Sequence, residues 1–256
     1  MILVFDSGLG GLTVLREIVK ARPEARYVYV ADDAFFPYGQ HDEVTLAQRV
    51  VPLIGDLIGQ FDPRLVVIAC NTASTLVMTH LRASYTVPFV GTVPAIKPAC
   101  ASSRSKRVSV LGTKGTVARE YTQRLIRDFG QGCEVTLVGS ANLAAMGEAF
   151  LRGEAISDAT IAAEIAPCFI DGAQRTDTVV LACTHYPLLL ERLRALAPWP
   201  VDWIDPAPAI ARRTSDLLGP SVAGDEVRWP RFLFTSGRQG PPDEMLTPFF
   251  HARTAA

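Results

Sequence analysis

The sequence predicts an α/β fold made of two parallel-sheet lobes of common design. Three observations predict it. Short β-branched runs alternate with longer amphipathic stretches, one strand with its polar end recurs in the second half, and each half opens on a strand running into a glycine-bearing turn.

Ile2–Phe5, Tyr27–Ala31, Leu65–Ala69, Pro88–Gly91, Val108–Leu111, Val135–Val138, Thr178–Ala182 and Val201–Ile204 read as strands. They are short and almost wholly apolar, as strands covered on both faces must be. Between them lie helical patterns, clearest from Val44 to Phe61, where Leu46, Val50, Leu53, Ile54, Leu57 and Phe61 recur at helical spacing. Such alternation predicts a mainly parallel sheet with ligands at the carboxyl ends of its strands.

The repeat is Val66-Val-Ile-Ala-Cys-Asn-Thr72 against Val179-Val-Leu-Ala-Cys-Thr-His185, whose cysteines lie 183 − 70 = 113 residues apart. The opening turns are Ile2-Leu-Val-Phe-Asp-Ser-Gly8 and Val108-Ser-Val-Leu-Gly-Thr-Lys-Gly-Thr116. Two signals in the same order predict two α/β halves. Thr92-Val-Pro-Ala-Ile-Lys-Pro98 and Asp205-Pro-Ala-Pro208 mark the crossings, giving a first lobe of 1–94 with 206–256 and a second of 95–205.

A chain of 256 residues, 48% apolar and 20% charged, has a real core, and a net charge of −1 offers no field for nucleic acid or an anionic membrane. The opening Met-Ile-Leu-Val-Phe-Asp6 has no basic segment ahead of its apolar run and carries an acid at position 6, so it is not expected to be a signal peptide, and no apolar stretch approaches the ~20 residues that span a bilayer. Five cysteines, at 70, 100, 133, 168 and 183, make a poor disulfide framework. The expectation is a reduced, cytoplasmic protein.

Cys100, Cys133 and Cys168 read as small core residues. Cys70 and Cys183 differ, because each follows four apolar strand residues and precedes polar ones, Asn71-Thr72 and Thr184-His185. That places each thiol at a strand's carboxyl end, where a following helix N-terminus favours the thiolate. Asp6-Ser7-Gly8-Leu9-Gly10-Gly11 follows the first strand directly. Its glycines admit close backbone approach, but it is neither a dinucleotide fingerprint nor a phosphate loop. Pro37-Tyr38-Gly39 is a turn carrying an aromatic hydroxyl. His185 leaves two readings open, a Cys–His nucleophilic pair or a metal ligand, although the spacing matches no common zinc pattern.

Together, Phe5-Asp-Ser-Gly-Leu-Gly-Gly-Leu12, Pro37-Tyr-Gly39, Ala69-Cys-Asn-Thr-Ala-Ser74, Val93-Pro-Ala-Ile-Lys-Pro98, Leu111-Gly-Thr113, Ala182-Cys-Thr-His185, Asp205-Pro-Ala207 and Ala209-Ile-Ala-Arg-Arg213 resemble the bacterial glutamate racemases, within the aspartate/glutamate racemase superfamily. The motifs stand in family order from residue 2 to about 214. The resemblance implies two pseudo-symmetric lobes with the active site between them and Cys70 and Cys183 as the catalytic acid/bases. Asp6 assists near Cys70 and His185 near Cys183. Substrate is held by Asp6, Ser7, Tyr38, Gly39, Asn71, Thr72, Thr184 and His185, with Thr113 and Thr116 as further additions. The first-lobe cysteine then takes the proton from D-glutamate and the second-lobe cysteine from L-glutamate. No cofactor and no metal are implied, the product serves peptidoglycan synthesis, and a homodimer stays open. One departure is visible: Ala144-Ala145-Met146 stands where many family members carry Val-Glu-Leu, which puts an auxiliary acid at that position in doubt.

This chemistry suits paired cysteines. Inversion at an α-carbon needs a proton removed from one face and delivered to the other, and two bases do so without exchanging one proton. A thiol titrating near ~8.5 needs only a modest shift to serve. The rival expectations are an aspartate or hydantoin racemase, a single-cysteine hydrolase or transferase using Cys183 and His185, and a binding protein that has lost catalysis.

Overall fold

The computed structural model describes residues 1–130, 132–220, 230–239 and 243–250. The chain forms two compact units, one of Met1–Thr92 with the described part of Ala207–Ala256, the other of Val93–Pro206.

The first unit opens with β1 (Ile2–Asp6), α1 (Leu12–Ala21), β2 (Tyr27–Ala31), α2 (Glu43–Phe61), β3 (Leu65–Ile68), α3 (Asn71–Leu76), α4 (Met78–Ser84) and β4 (Phe89–Gly91). Helix α2 realises the clearest pattern in the sequence. The Asp42 side chain caps it by accepting from the Thr45 amide at 2.8 Å, and Asp62 ends it in the left-handed region at φ 43°. Its Leu46, Val50, Ile54 and Leu57 pack with Leu3, Phe5, Val28, Val30, Val66 and Ile68 of the sheet. Burial of each such side chain is worth about 1.5–3 kcal/mol, so this face anchors the unit.

The second unit runs α5 (Ile96–Ser102), β5 (Arg107–Thr113), α6 (Lys114–Val117), α7 (Glu120–Phe129), β6 (Glu134–Ser140), α8 (Leu143–Leu151), α9 (Asp158–Ile165), β7 (Thr178–Ala182), α10 (Leu190–Leu196) and β8 (Asp202–Ile204). One face of its sheet packs Leu111, Val138, Val179 and Leu181 against Ile161, Ile165 and Leu193. The other packs Val108, Val110, Val180 and Ala182 against Ile96, Ala99 and Cys100. The chain then returns to the first unit as α11 (Ala207–Leu218), β9 (Arg231–Phe234) and α12 (Asp243–Phe250).

Both sheets are parallel throughout, with orders β4-β3-β1-β2-β9 and β6-β5-β7-β8. Read from the other edge, the second order is β8-β7-β5-β6. The four strands of each half therefore take the same places, with β3 and β7, the cysteine-bearing strands, beside the opening strands β1 and β5. All eight predicted strands are present. The ninth, β9, has no counterpart among the strands that the sequence predicts; it pairs with β2 from Val28↔Arg231 to Ala31↔Phe234. Among the described residues no helix is long and apolar enough to cross a membrane.

Candidate active site

In the first unit, β1 and β3 run side by side, with Phe5 opposite Ile68 and the Ala69 amide bonded to the Phe5 carbonyl at 2.8 Å. One step further, Ser7 and Cys70 are neighbours, and the Ser7 hydroxyl lies 3.7 Å from the Cys70 sulfur. Asp6, fully buried, accepts from the Gly8 amide at 2.9 Å and from the Ser7 hydroxyl at 3.4 Å. A Cβ at Gly11 would stand 2.7 Å from Asp6 Cβ and 3.1 Å from Ala69 Cβ, so only glycine lets the turn close over these strand ends. Cys70 caps the six-residue helix α3, and its carbonyl accepts from the Ser74 amide at 2.9 Å. Asn71, the next residue, is buried, and among the described residues neither atom of its side-chain amide has a hydrogen-bond partner. A buried amide without partners costs free energy that a bound polar ligand recovers.

Tyr38 lies in a turn after β2 that packs against α3, and Gly39 beside it is half-buried. The Tyr38 hydroxyl donates to Asp32 Oδ2 at 2.6 Å. Asp32 also receives the Arg49 guanidinium on both oxygens, at 3.0 and 2.6 Å, and the Thr235 hydroxyl at 2.6 Å. Burial works to raise the Asp32 pKa, but these donors, led by Arg49, bring it below the ordinary carboxylate value. Burial, the Asp32 charge and the neighbouring Cys70 and Asp6 push the Tyr38 phenol well up. Its proton is thus committed to Asp32.

In the second unit, Cys183 follows β7 and lies 7% exposed. Gly112 pairs with Ala182 across β5 and β7, which brings Thr113 level with Cys183. Thr113 caps α6 through the Thr116 amide at 3.1 Å, and the two hydroxyls are 3.0 Å apart. No α-helix follows Cys183 directly. Thr184 is buried, and His185 leads into a 3-10 turn over Tyr186–Leu189. The expected helix N-terminus is therefore present after Cys70 and replaced by this turn after Cys183.

His185 bridges the thiol to an acid. Its Nδ1 lies 3.7 Å from Cys183 Sγ, and its Nε2 lies 2.7 Å from Glu148 Oε1 on α8. Burial of the imidazole favours its neutral form, yet the Cys183 and Glu148 contacts outweigh it and hold the His185 pKa well above its ordinary value. A Cβ at Gly147 would stand 2.9 Å from His185 Cβ, so this glycine is what allows α8 to approach. Arg152 Nη1 stands 3.7 Å from the other Glu148 oxygen.

Every predicted site residue therefore lies at the carboxyl ends of its own sheet: Asp6, Ser7, Tyr38, Gly39, Cys70, Asn71 and Thr72 in the first unit, Thr113, Thr116, Cys183, Thr184 and His185 in the second. Sequence reasoning missed Asp32, Arg49, Thr235 and Glu148. Glu148 stands three residues after Ala145 on α8, close to one helical turn from the place where the resemblance implies an acid. Cys100 and Cys168 are core residues as expected, whereas Cys133 is half-exposed.

The family model for Asp/Glu/Hydantoin racemase matches residues 3–214. The glutamate racemase of Brucella ovis is 59% identical over 227 residues, covering 88% of this chain and 82% of that protein. That of Brucella anthropi is 60% identical over 228 residues, with the same coverage. Among solved structures, Escherichia coli glutamate racemase in complex with L-glutamate and the activator UDP-MurNAc-ala superposes with a TM-score of 0.85 at 38% identity, covering 96% of this chain and 92% of that one. Glutamate racemase from Aquifex pyrophilus gives 0.73 at 27% identity, covering 98% and 94%. The chain belongs to the Asp/Glu/hydantoin racemase family, and its enzyme class is that of an amino-acid racemase, an isomerase.

Proposed function

We propose that the chain interconverts L- and D-glutamate by cofactor-independent α-proton transfer between Cys70 and Cys183, supplying D-glutamate for peptidoglycan. The carrying observation is the pair of topologically equivalent strand ends, each presenting a buried thiol beside a polar helper. Cys70 has Ser7 and, through it, Asp6; Cys183 has His185 and, through it, Glu148. Glutamate as substrate rests on the relatives, which are named glutamate racemases at up to 60% identity.

At the start of turnover one cysteine is a thiolate and the other a thiol. The thiolate takes the α-proton, the thiol gives its own to the opposite face, and the two states are exchanged. With L-glutamate Cys183 acts as base, and with D-glutamate Cys70 does. An α-hydrogen beside a carboxylate is a very weak acid, so the charge that develops on the substrate must be met by donors already in place. Asn71, Thr72 and Thr184, buried next to the thiols, are suited to that task. The unpartnered Asn71 amide supports a polar ligand there. An imidazolium at His185 offsets negative charge on Cys183.

Incubating the pure protein with L-glutamate in D2O, without added cofactor, is expected to give D-glutamate carrying deuterium at the α-carbon. Folded protein that yields neither refutes the assignment. Cys70→Ser and Cys183→Ser are each expected to abolish racemisation, and a variant that racemises at the parent rate shows its cysteine to be structural. A panel of aspartate, hydantoin and glutamate enantiomers decides the substrate.

A further inference from the structure

Two thiols outside these half-sites lie side by side. Cys100 is on α5, and Cys133 stands one residue before β6. The Cys133 thiol donates to the Cys100 carbonyl oxygen at 3.4 Å, which brings the two residues into direct contact. Both positions are pinned. The Cys133 amide donates to the Gly130 carbonyl at 2.9 Å, the Glu134 amide to the Lys106 carbonyl at 2.7 Å, and Glu134 opens the β5–β6 ladder opposite Arg107. At the end of α5 the Ser103 amide donates to the Ala99 carbonyl at 3.0 Å.

The surroundings give the two sulfurs different roles. Cys100 is only 5% exposed, whereas Cys133 is half-exposed and meets a dissolved oxidant first. Lys106 Nζ lies 3.4 Å from the same Cys100 carbonyl, so ammonium and Cys133 sulfur are no more than twice 3.4 Å, or 6.8 Å, apart. Burial, with the contact to Cys133, pushes the Cys100 thiol up to about 12, which keeps it protonated until a partner removes its proton. The pair also packs with the core on one face of the second sheet, whereas Cys183 and Cys168 pack with the core on the other.

We propose that Cys100 and Cys133 form a reversible redox pair, converted to a disulfide by peroxide-class oxidants on the face of the second sheet opposite Cys183. The Cys133 sulfur attacks one peroxide oxygen, the O–O bond breaks, and the other oxygen leaves as hydroxide, which takes the Cys133 thiol proton and becomes water. Cys133 is then a sulfenic acid. The Cys100 sulfur attacks it, the S–O bond breaks, and the departing hydroxide takes the Cys100 proton as a second water. Two electrons have passed from the dithiol to the peroxide, and a dithiol reductant restores both thiols.

Peptide mapping under non-reducing conditions tests this on the native protein, treated with limiting hydrogen peroxide and then alkylated. The expected product is a Cys100–Cys133 linked peptide, lighter than the reduced pair by two hydrogens, lost on reduction and absent in Cys133→Ser. Cys100→Ser, which lacks the resolving thiol, is expected to accumulate a sulfenic acid at Cys133 that dimedone traps. Racemisation by reduced Cys133→Ser should match the parent. Peroxide-treated protein in which Cys133 is over-oxidised or alkylated while Cys100 stays unlinked overturns the proposal. So does a Cys133 linked mainly to another cysteine, or a Cys100→Ser protein that traps no sulfenic acid.

Discussion

Glu148→Gln is the sharpest probe of the second half-site, because it keeps the side chain's shape and removes only its charge. Glu148 Oε1 lies 2.7 Å from His185 Nε2, and the two side chains are only 10% and 2% exposed, so water screens their interaction little. Arg152 Nη1, 3.7 Å from the other oxygen and itself 43% exposed, takes up part of the carboxylate charge. A charge-assisted hydrogen bond in such surroundings is worth about 2 kcal/mol, which is roughly 30-fold on any step that needs imidazolium at His185. The assay is kcat/KM in both directions across pH. Enantiomers have an equilibrium constant of one, so the loss must be the same for L- and D-glutamate. The sign of the pH effect follows from the His185 pKa, which the two contacts raise above its ordinary value. Imidazolium and its contribution are complete below the ordinary value and are lost as pH rises through the raised one. Removing the Glu148 charge moves that loss to lower pH, so the alkaline limb of the profile shifts downward. A Gln variant with the parental rate and an unmoved alkaline limb refutes the role given to Glu148. Acting through His185, it is a positioning residue.

Gly147→Ala tests the approach of α8, since the new Cβ would meet His185 Cβ at 2.9 Å and its carbonyl oxygen at 3.1 Å. Displacing His185 should cost about 1–3 kcal/mol of stability and most of the activity, seen by thermal melting beside the racemase assay; an unaffected variant would show that the helix shifts freely. Asp177→Asn tests an acid-side contribution to stability. Burial works to raise the Asp177 pKa, but the Ser105 amide, the Ser103 and Thr178 hydroxyls and the Arg104 amide bring it to about 2. Its stabilisation is therefore present above the ordinary 3.8 and drains away as pH falls towards about 2. After allowance for a partly exposed carboxylate it amounts to about 1 kcal/mol. Denaturant midpoints should show that the variant has lost this pH dependence while the parent keeps it.

Much of this protein is legible in its amino-acid sequence alone. Strands buried on both faces must be short and apolar, so eight of them stand out, and α2 stands out by its helical spacing. Cys70 and Cys183 stand out because the same strand end is written twice. These are properties of neighbouring residues, and the chain's own periodicity carries them. Strand β9 escaped because Arg231-Phe-Leu-Phe234 is half-exposed at a sheet edge and repeats nothing, so its pairing with β2 comes only from packing. Asp32 escaped for the same reason: its partners Arg49 and Thr235 lie 17 and 203 residues away. Glu148 joins His185 across 37 residues, and without that contact it reads as one more helix acid. Sequence by itself determined the two parallel-sheet lobes, the doubled cysteine and the family, because hydrophobic period and strand-end chemistry are local. Only tertiary structure decided which acids stand behind the imidazole and the tyrosine, because a buried carboxylate takes its partners from wherever the fold brings a donor within about 3 Å.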